Sequence, residues 1–362
     1  MVDARDEAFM ARAAFLAERG RGRTSPNPLV GAVVVDRDGV IVGQGAHLQA
    51  GLPHAEIAAL DQAGARARGA TLYCTLEPCC HTGRTGPCVE RIVSDGIGRV
   101  VFAVQDPNPA VDGGGERFLR AHGVSVERGP GEAAARRQNA AFFTWITARR
   151  PFVIVKAAVS ADGFVGRPDR AVRLTSPATD RYFHRQRAEV DALAVGSGTV
   201  IVDDPLLTAR VAYRSRPLVR VLFDWRLRIP AAARVFSTLS EGPVIMIVGA
   251  LEAERHAGAV IALERRGISI ERRETRRIGP VLNWLGARQV TSLLVEGGPA
   301  LHQAFFEENL VDRCQIAVTP GVLREGTPVA PALAAGDRWA APDAGRRLGP
   351  DRLVEWDVHR TD

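Results

Sequence analysis

The chain has 362 residues, of which 46% are hydrophobic and 24% charged, and carries a formal charge of +6. That is length enough for two ordinary domains and the composition of a soluble globular protein. No stretch approaches the roughly 18 apolar residues of a membrane span, and the N-terminus, MVDARDEAFMARAAF, lacks the apolar core of an export signal. The positive charge is arginine spread along the chain, with no basic tail and no basic–aromatic track, so neither nucleic acid nor a membrane is expected as partner.

Residues 5–18 read as a helix with Phe9, Met10, Ala13 and Phe15 near one side. A turn-rich loop, Arg23 to Pro28, leads into a strand at 29–35, a tight turn at 36–39 and a hairpin partner at 40–45. A helix is expected from His54 to about Ala67, then a strand at 71–76 that delivers Glu77-Pro78-Cys79 at its end. Pro87 suits the first turn of a helix holding Cys88, Ile92 and Val93. A strand at 99–104, a helix at 115–121, a short strand at 124–126 and a helix over 131–147 complete a layered α/β unit. Arg149-Arg150-Pro151 marks the boundary, giving domains 1–148 and 151–362. The second domain has expected strands at 152–158, 192–195, 218–223, 243–248, 292–295 and 314–318. Its expected helices lie at 177–188, 279–286 and 299–308. The charged stretch 251–275 reads as a single surface helix or strand.

Two short segments carry chemistry. His54-Ala55-Glu56, followed by Pro78-Cys79 and a further Cys88, has the order of a zinc-deaminase site. His54, Cys79 and Cys88 supply three borderline-soft ligands and leave a fourth position for water, whose pKa zinc (Zn2+) lowers toward neutrality. Glu56 stands where it can shuttle the water proton without ligating the metal. Cys79 and Cys88 sit at or just before helix N-termini, where backbone N–H groups favour thiolates. Four of the five cysteines lie between 74 and 88, which suits a metal in a reducing, cytoplasmic compartment better than a disulfide framework. Cys80 adjoins Cys79 and competes for the ligand role; Cys74 reads as a small core residue. The loop from Cys80 to Pro87 carries His81 and Arg84, donors suited to an anionic substrate group.

In the second half there is no G-x-G-x-x-G fingerprint, and Gly196-Ser197-Gly198 alone is weak. Lys156, the only lysine of the chain, ends a buried strand before Ser160-Ala161-Asp162-Gly163. Asp203-Asp204-Pro205 and Leu207-Thr208-Ala209-Arg210 form a polar cluster. Glu296-Gly297-Gly298-Pro299 joins a strand to a helix, where glycines let a phosphate approach free N–H groups; a plain tight turn is the alternative.

Together these segments resemble the bifunctional diaminohydroxyphosphoribosylaminopyrimidine deaminase / 5-amino-6-(5-phosphoribosylamino)uracil reductase family of bacterial riboflavin biosynthesis. In the first half the likeness rests on Thr24-Ser25-Pro26-Asn27-Pro28-Leu29-Val30-Gly31, His47, the Pro-Cys-x8-Cys loop with Gly83-Arg84-Thr85, and Asp106-Pro107-Asn108-Pro109. The resemblance implies a cytidine-deaminase-like three-layer αβα domain followed by a dihydrofolate-reductase-like α/β domain. It implies zinc-dependent deamination of 2,5-diamino-6-(5-phosphoribosylamino)pyrimidin-4(3H)-one, then NADPH-dependent reduction of the ribosyl group of 5-amino-6-(5-phosphoribosylamino)uracil.

The same likeness implies that Asn27 and His47 line the base pocket and that Asp106 and Asn108 lie near the phosphoribosyl group. Turn stabilisation is the alternative for the two asparagines. In the second domain it implies that Thr199, Asp203 and the segment Gly298, Pro299, Ala300, Leu301, His302, Gln303 and Ala304 face NADPH. Arg187, Leu207, Arg210 and Glu296 would face the phosphoribosyl substrate, with a solvated helix face as the alternative for Arg187. Lys156 would act near the reacting carbon. The chain departs from the family pattern at Phe164, Ala171 and Arg173, positions where lysine, a serine-like residue and tryptophan are usual. A deaminase with a non-reducing second domain is the alternative whole-chain reading, and a homo-oligomer is expected.

Overall fold

The computed structural model describes residues 4–81, 86–109, 111, 113–210, 212, 214–334 and 345–358. It divides into two compact units, Met1–Arg149 and Arg150–Asp362. Among the described residues no helix is long and apolar enough to cross a membrane.

The first unit contains α1 (Ala4–Ala17), β1 (Gly31–Val35), β2 (Ile41–Ala46), α2 (Ala55–Ala63), β3 (Thr71–Cys74), α3 (Cys88–Ser94), β4 (Arg99–Phe102), α4 (Gly114–Ala121), β5 (Ser125–Arg128), α5 (Glu132–Gln138) and α6 (Ala140–Ala148). Its sheet has the order β2-β1-β3-β4-β5. β1 runs antiparallel to both β2 and β3, while β3, β4 and β5 are parallel. All five residues of β1 are buried, as expected for a strand covered on both faces.

Two glycines set how closely helices cover this sheet. A Cβ on Gly31 would lie 1.9 Å from the Ala13 carbonyl oxygen of α1, and one on Gly45 would lie 2.1 Å from the Ala55 carbonyl oxygen of α2. Gly31 pairs with Ala46, whereas Gly45 pairs with Ala32. Successive residues point to opposite faces, so α1 and α2 cover opposite sides and the unit is a three-layer αβα sandwich. The helix expected over 131–147 is two helices, because Asn139 leaves the helical path at the joint. Its side chain accepts from the Leu29 N–H at 2.7 Å and donates to the Leu29 carbonyl at 2.9 Å.

In the second unit the elements are β6 (Phe152–Val159), β7 (Phe164–Gly166), α7 (Pro177–Glu189), β8 (Ala192–Gly196), α8 (Ser197–Asp203), β9 (Val219–Phe223), β10 (Val244–Gly249), α9 (Ala250–Arg255), α10 (Ala257–Arg265), β11 (Ser269–Arg273), α11 (Gly279–Ala287), β12 (Ser292–Val295), α12 (Pro299–Glu307), β13 (Arg313–Val318), β14 (Thr327–Pro328), α13 (Pro331–Ala334), β15 (Arg346–Leu348) and β16 (Asp351–Asp357). The large sheet runs β11-β10-β9-β8-β12-β6-β13-β16-β15. From β11 to β13 it is parallel, and β16 and β15 close the edge in antiparallel fashion. The stretch 251–275 holds two helices and a strand rather than one element.

This topology places a site. In an open parallel sheet, ligands gather at the carboxyl ends of the strands. β8, β12 and β6 are neighbours, and their carboxyl ends carry Gly196, Glu296 and the Lys156–Val159 run. β6 alternates its faces: Val153, Val155, Ala157 and Val159 enter the main core, so Lys156 points to the other side. There its ammonium lies 4.4 Å from the ring centre of Phe183 on α7.

Candidate active sites

The first site forms where α2 starts, β3 ends and α3 starts. His54 is the N-cap of α2 with extended backbone, Glu56 lies in the first helical turn, and Cys88 opens α3 behind Pro87. His54 Nδ1 lies 3.3 Å from Cys88 Sγ and 3.5 Å from Cys79 Sγ. Among the described residues these three form the one His/Cys/Asp/Glu group compact enough for a metal, with ligand atoms all within 4.8 Å of one another. A tetrahedral zinc with sulfur at about 2.3 Å and nitrogen at about 2.0 Å sets ligand–ligand edges of roughly 3.5–3.8 Å. Donor chemistry and spacing both fit zinc.

Cys74 and Cys80 fall outside this group. Cys74 is fully buried in the core of the unit. Cys80 packs against the start of α4, its sulfur 2.6 Å from where a Cβ on Gly114 would stand.

Electrostatics favour a thiolate at Cys79. It accepts from the Cys88 thiol, from His54 and from the Cys88 backbone N–H at 3.3 Å, which brings its pKa down to about 4 against the opposing effect of burial. Cys88 is pushed up by that same thiolate, by burial and by Glu56. His54 is raised, chiefly by Cys79. Glu56 is 4% exposed; burial, then the Cys79 charge, raises its pKa.

Asn27 and His47 stand beside this group. The Asn27 amide Nδ2 is 3.1 Å from His47 Nε2, and His47 Nδ1 is 3.1 Å from the Pro53 carbonyl. A carbonyl only accepts, so Nδ1 carries the proton and Nε2 accepts from Asn27. Burial lowers the His47 pKa, which keeps that neutral form. The His47 and His54 rings meet edge to face, 5.3 Å apart. Asp106 is buried and accepts from the Asn108 N–H at 2.9 Å; burial, then Glu77 and Cys79, raise its pKa to about 6. His81 is exposed, and Arg84 lies outside the described residues.

Glu77 is a residue that sequence reasoning quoted but gave no role. It is 2% exposed and accepts backbone N–H bonds from Asp106 at 3.4 Å, Gly113 at 3.1 Å and Glu116 at 3.1 Å. It ties the Pro78-Cys79 segment to the Asp106 loop and the start of α4. The available signal was an acid at the inner end of an apolar strand, beside a metal ligand.

The second site is a cavity of about 270 Å³ lined by Lys156, Arg187, Leu207, Glu296, Thr199, Asp203, Gly298, Pro299 and His302, together with Arg173, Thr175 and apolar residues. Arg187 is not a solvated helix residue. Its Nε and Nη2 grip the two Glu296 carboxylate oxygens at 2.7 and 2.6 Å, and Nη1 donates to the Thr208 carbonyl at 3.0 Å. Its fork is thus already committed to a carboxylate. Burial opposes the Glu296 charge, but Arg187, Lys156 and His184 bring its pKa down to about 2. Burial lowers Lys156, partly offset by Glu296. The Gly298 N–H donates to Thr199 Oγ1 at 3.0 Å, which ties α8 to the mouth of α12.

Several expected residues lie away from this cavity. Arg210 borders a separate arginine-rich hollow, with Nη2 3.3 Å from His184 Nε2. Leu301 is buried under Gly196 and Gly297. Gln303 pairs with Glu307 and the Ala332 N–H. Ala304 packs on the core, and Ala300 is not among the cavity-lining residues. A helix turns only part of its side chains to one side, so a whole seven-residue segment cannot face one ligand with its side chains.

The fold and the two sites define a chain with a zinc-deaminase unit followed by a reductase-like α/β unit. Residues 3–104 match the family profile "Cytidine and deoxycytidylate deaminase zinc-binding region", and residues 151–333 match "RibD C-terminal domain". The riboflavin biosynthesis protein RibD of Aquifex aeolicus is 39% identical over 330 residues, 91% of each chain. The Escherichia coli protein of the same name is 37% identical and covers 88% of each. Among solved structures, Acinetobacter baumannii RibD superposes with a TM-score of 0.82 at 32% identity, covering 97% of this chain and 98% of that one. A deaminase/reductase of Thermotoga maritima gives 0.81 at 32% identity, with the same coverage. The chain belongs to the bifunctional riboflavin biosynthesis deaminase–reductase family.

Proposed function

We propose that the first unit removes the ring amino group of 2,5-diamino-6-(5-phosphoribosylamino)pyrimidin-4(3H)-one, and that the second then reduces the ribosyl group of the product with NADPH. The observation that carries the first half is the His54–Cys79–Cys88 group with Glu56 buried beside it. Zinc held by these three residues supplies Lewis acidity that makes a water molecule nucleophilic near neutral pH. Glu56 carries one proton of the attacking water to the ring nitrogen, and then a second, from the hydroxyl of the resulting adduct, to the amino group, which leaves as ammonia while the carbonyl forms. Asn27 and His47 form a fixed donor–acceptor pair suited to a pyrimidine edge.

For the second half, NADPH supplies the hydride. Lys156 within β6 and Glu296 just past the end of the neighbouring β12 put a cation and an anion in one cavity, where the opened sugar can be polarised. Arg187 holds Glu296 ionised and oriented. The Thermotoga maritima relative is described as acting as deaminase and reductase on phosphoribosylaminopyrimidine compounds, which supports this assignment of substrates. A direct test follows ammonia release and NADPH oxidation together from the diamino substrate. One ammonia and one NADPH per substrate, with zinc present in the protein, is expected; ammonia without NADPH oxidation would leave a deaminase with a non-reducing second unit.

A further inference from the structure

His302 is the fourth residue of α12, yet its ring turns inward. It is 4% exposed and lines the same cavity as Lys156, Arg187 and Glu296. Among the described residues its Nε2 is buried without a hydrogen-bond partner. The ring does bond the Val295 carbonyl, so the nitrogen engaged there is Nδ1, and it must be the donor. A neutral imidazole with its proton on Nδ1 presents a bare lone pair at Nε2. Burial draws the ring's pKa down to about 4, with Val295 and Glu296 opposing and Lys156 assisting, so the lone pair is available at neutral pH. Among the described residues, His302 Nε2 is the one buried side-chain atom without a partner that belongs to a residue lining this cavity, and such an atom calls for an explanation.

We infer that His302 Nε2 accepts a hydrogen bond from a hydroxyl group of the opened sugar, next to the carbon that is reduced. The inference rests on the reductase reading of this cavity. A lone pair without a proton suits a neutral donor and repels a phosphate or carboxylate. The ring shares its cavity with Lys156 and Glu296, the pair assigned to the sugar. A site that accepts from a hydroxyl also rejects analogues that lack it, because the buried acceptor is then stranded.

Calorimetric titration of the full-length protein with the reduced ribityl product, and separately with NADP+, tests this. His302→Leu should weaken product binding about five- to tenfold, the loss of one hydrogen bond at a buried acceptor, and leave NADP+ affinity within about twofold. His302→Gln, whose amide oxygen can take over the acceptor role, should recover most of the loss. Nitrogen NMR of the wild-type ring gives a readout that needs no variant: the Nε2 signal should move on adding product and stay put on adding NADP+. Unchanged product affinity in the leucine variant, or a loss that falls on NADP+ instead, overturns the inference. Failure of the wild type to bind either compound would instead refute the reductase reading beneath it.

Discussion

A glutamate two residues after a metal-binding histidine acts as a proton carrier only if something keeps it off the metal and out of water. Here the start of α2 does both, since His54 sits outside the helix as N-cap and Glu56 inside its first buried turn. Cys88 has the sharper individual test. Replacing it with serine removes a sulfur ligand and leaves a harder oxygen, so zinc content by metal analysis should fall well below one per chain and deamination should cease. Full zinc and full rate in Cys88→Ser would exclude it as a ligand. Lys156→Ala should lower the reduction rate at least about tenfold, with deamination unchanged, because its ammonium lies in the reductase cavity alone. Equal reduction rates would move Lys156 out of the reaction.

The order of His54, Glu56, Cys79 and Cys88 was legible from spacing alone, and three of the four sit at the starts of helices whose periodicity is local. The exclusion of Cys80 was not. It depends on Cys80 packing against Gly114, a neighbour that no local pattern announces. The same holds for Arg187, whose carboxylate partner stands 109 residues away. Locally it reads as one arginine among several on a polar helix.

At the scale of elements, α2 reaches its sheet through the missing side chain of Gly45. A valine there would drive a Cβ into the Ala55 carbonyl, and overpacking of this kind costs about 1–3 kcal/mol. Gly45→Val should therefore lower the thermal midpoint and displace His54 and Glu56 together, losing zinc affinity and deamination in parallel. A variant that keeps both would show that α2 can move without disturbing the site. The ion pair between α7 and the end of β12 predicts a pH dependence. The Glu296 pKa is depressed from 4.5 to about 2, so its stabilising contribution is present above pH 4.5 and is lost as pH falls through about 2. By linkage this amounts to roughly 3 kcal/mol. The stability gap between wild type and Glu296→Gln, measured by denaturant unfolding, should narrow as pH drops from about 5 toward 2. A gap that stays constant over that range would mean that Glu296 titrates normally.

Most strands and helices of both units follow from alternation, apolar runs and turn residues. Among those missed, β16 depends on distant pairing. β16 is a strand because it pairs with β13 along its length, and β15 because it folds back on β16. The joint between α5 and α6 exists because Asn139 bonds Leu29, 110 positions away. Amphipathic period is written locally; a break caused by a remote partner is not.

Over the whole molecule, each unit carries one chemistry. The deaminase residues all lie within Met1–Arg149 and the reductase cavity within Arg150–Asp362. The measurement that tests this most directly uses Glu56→Gln, which keeps the zinc ligands but replaces a carboxylate that can carry a proton with an amide that cannot. With the diamino substrate, ammonia release should fall by about 10²–10⁴-fold. Given the deaminated phosphoribosylaminouracil and NADPH, the same variant should oxidise NADPH at the wild-type rate. Loss of both activities in a folded, zinc-loaded variant would contradict the assignment of two chemistries to two separate sites.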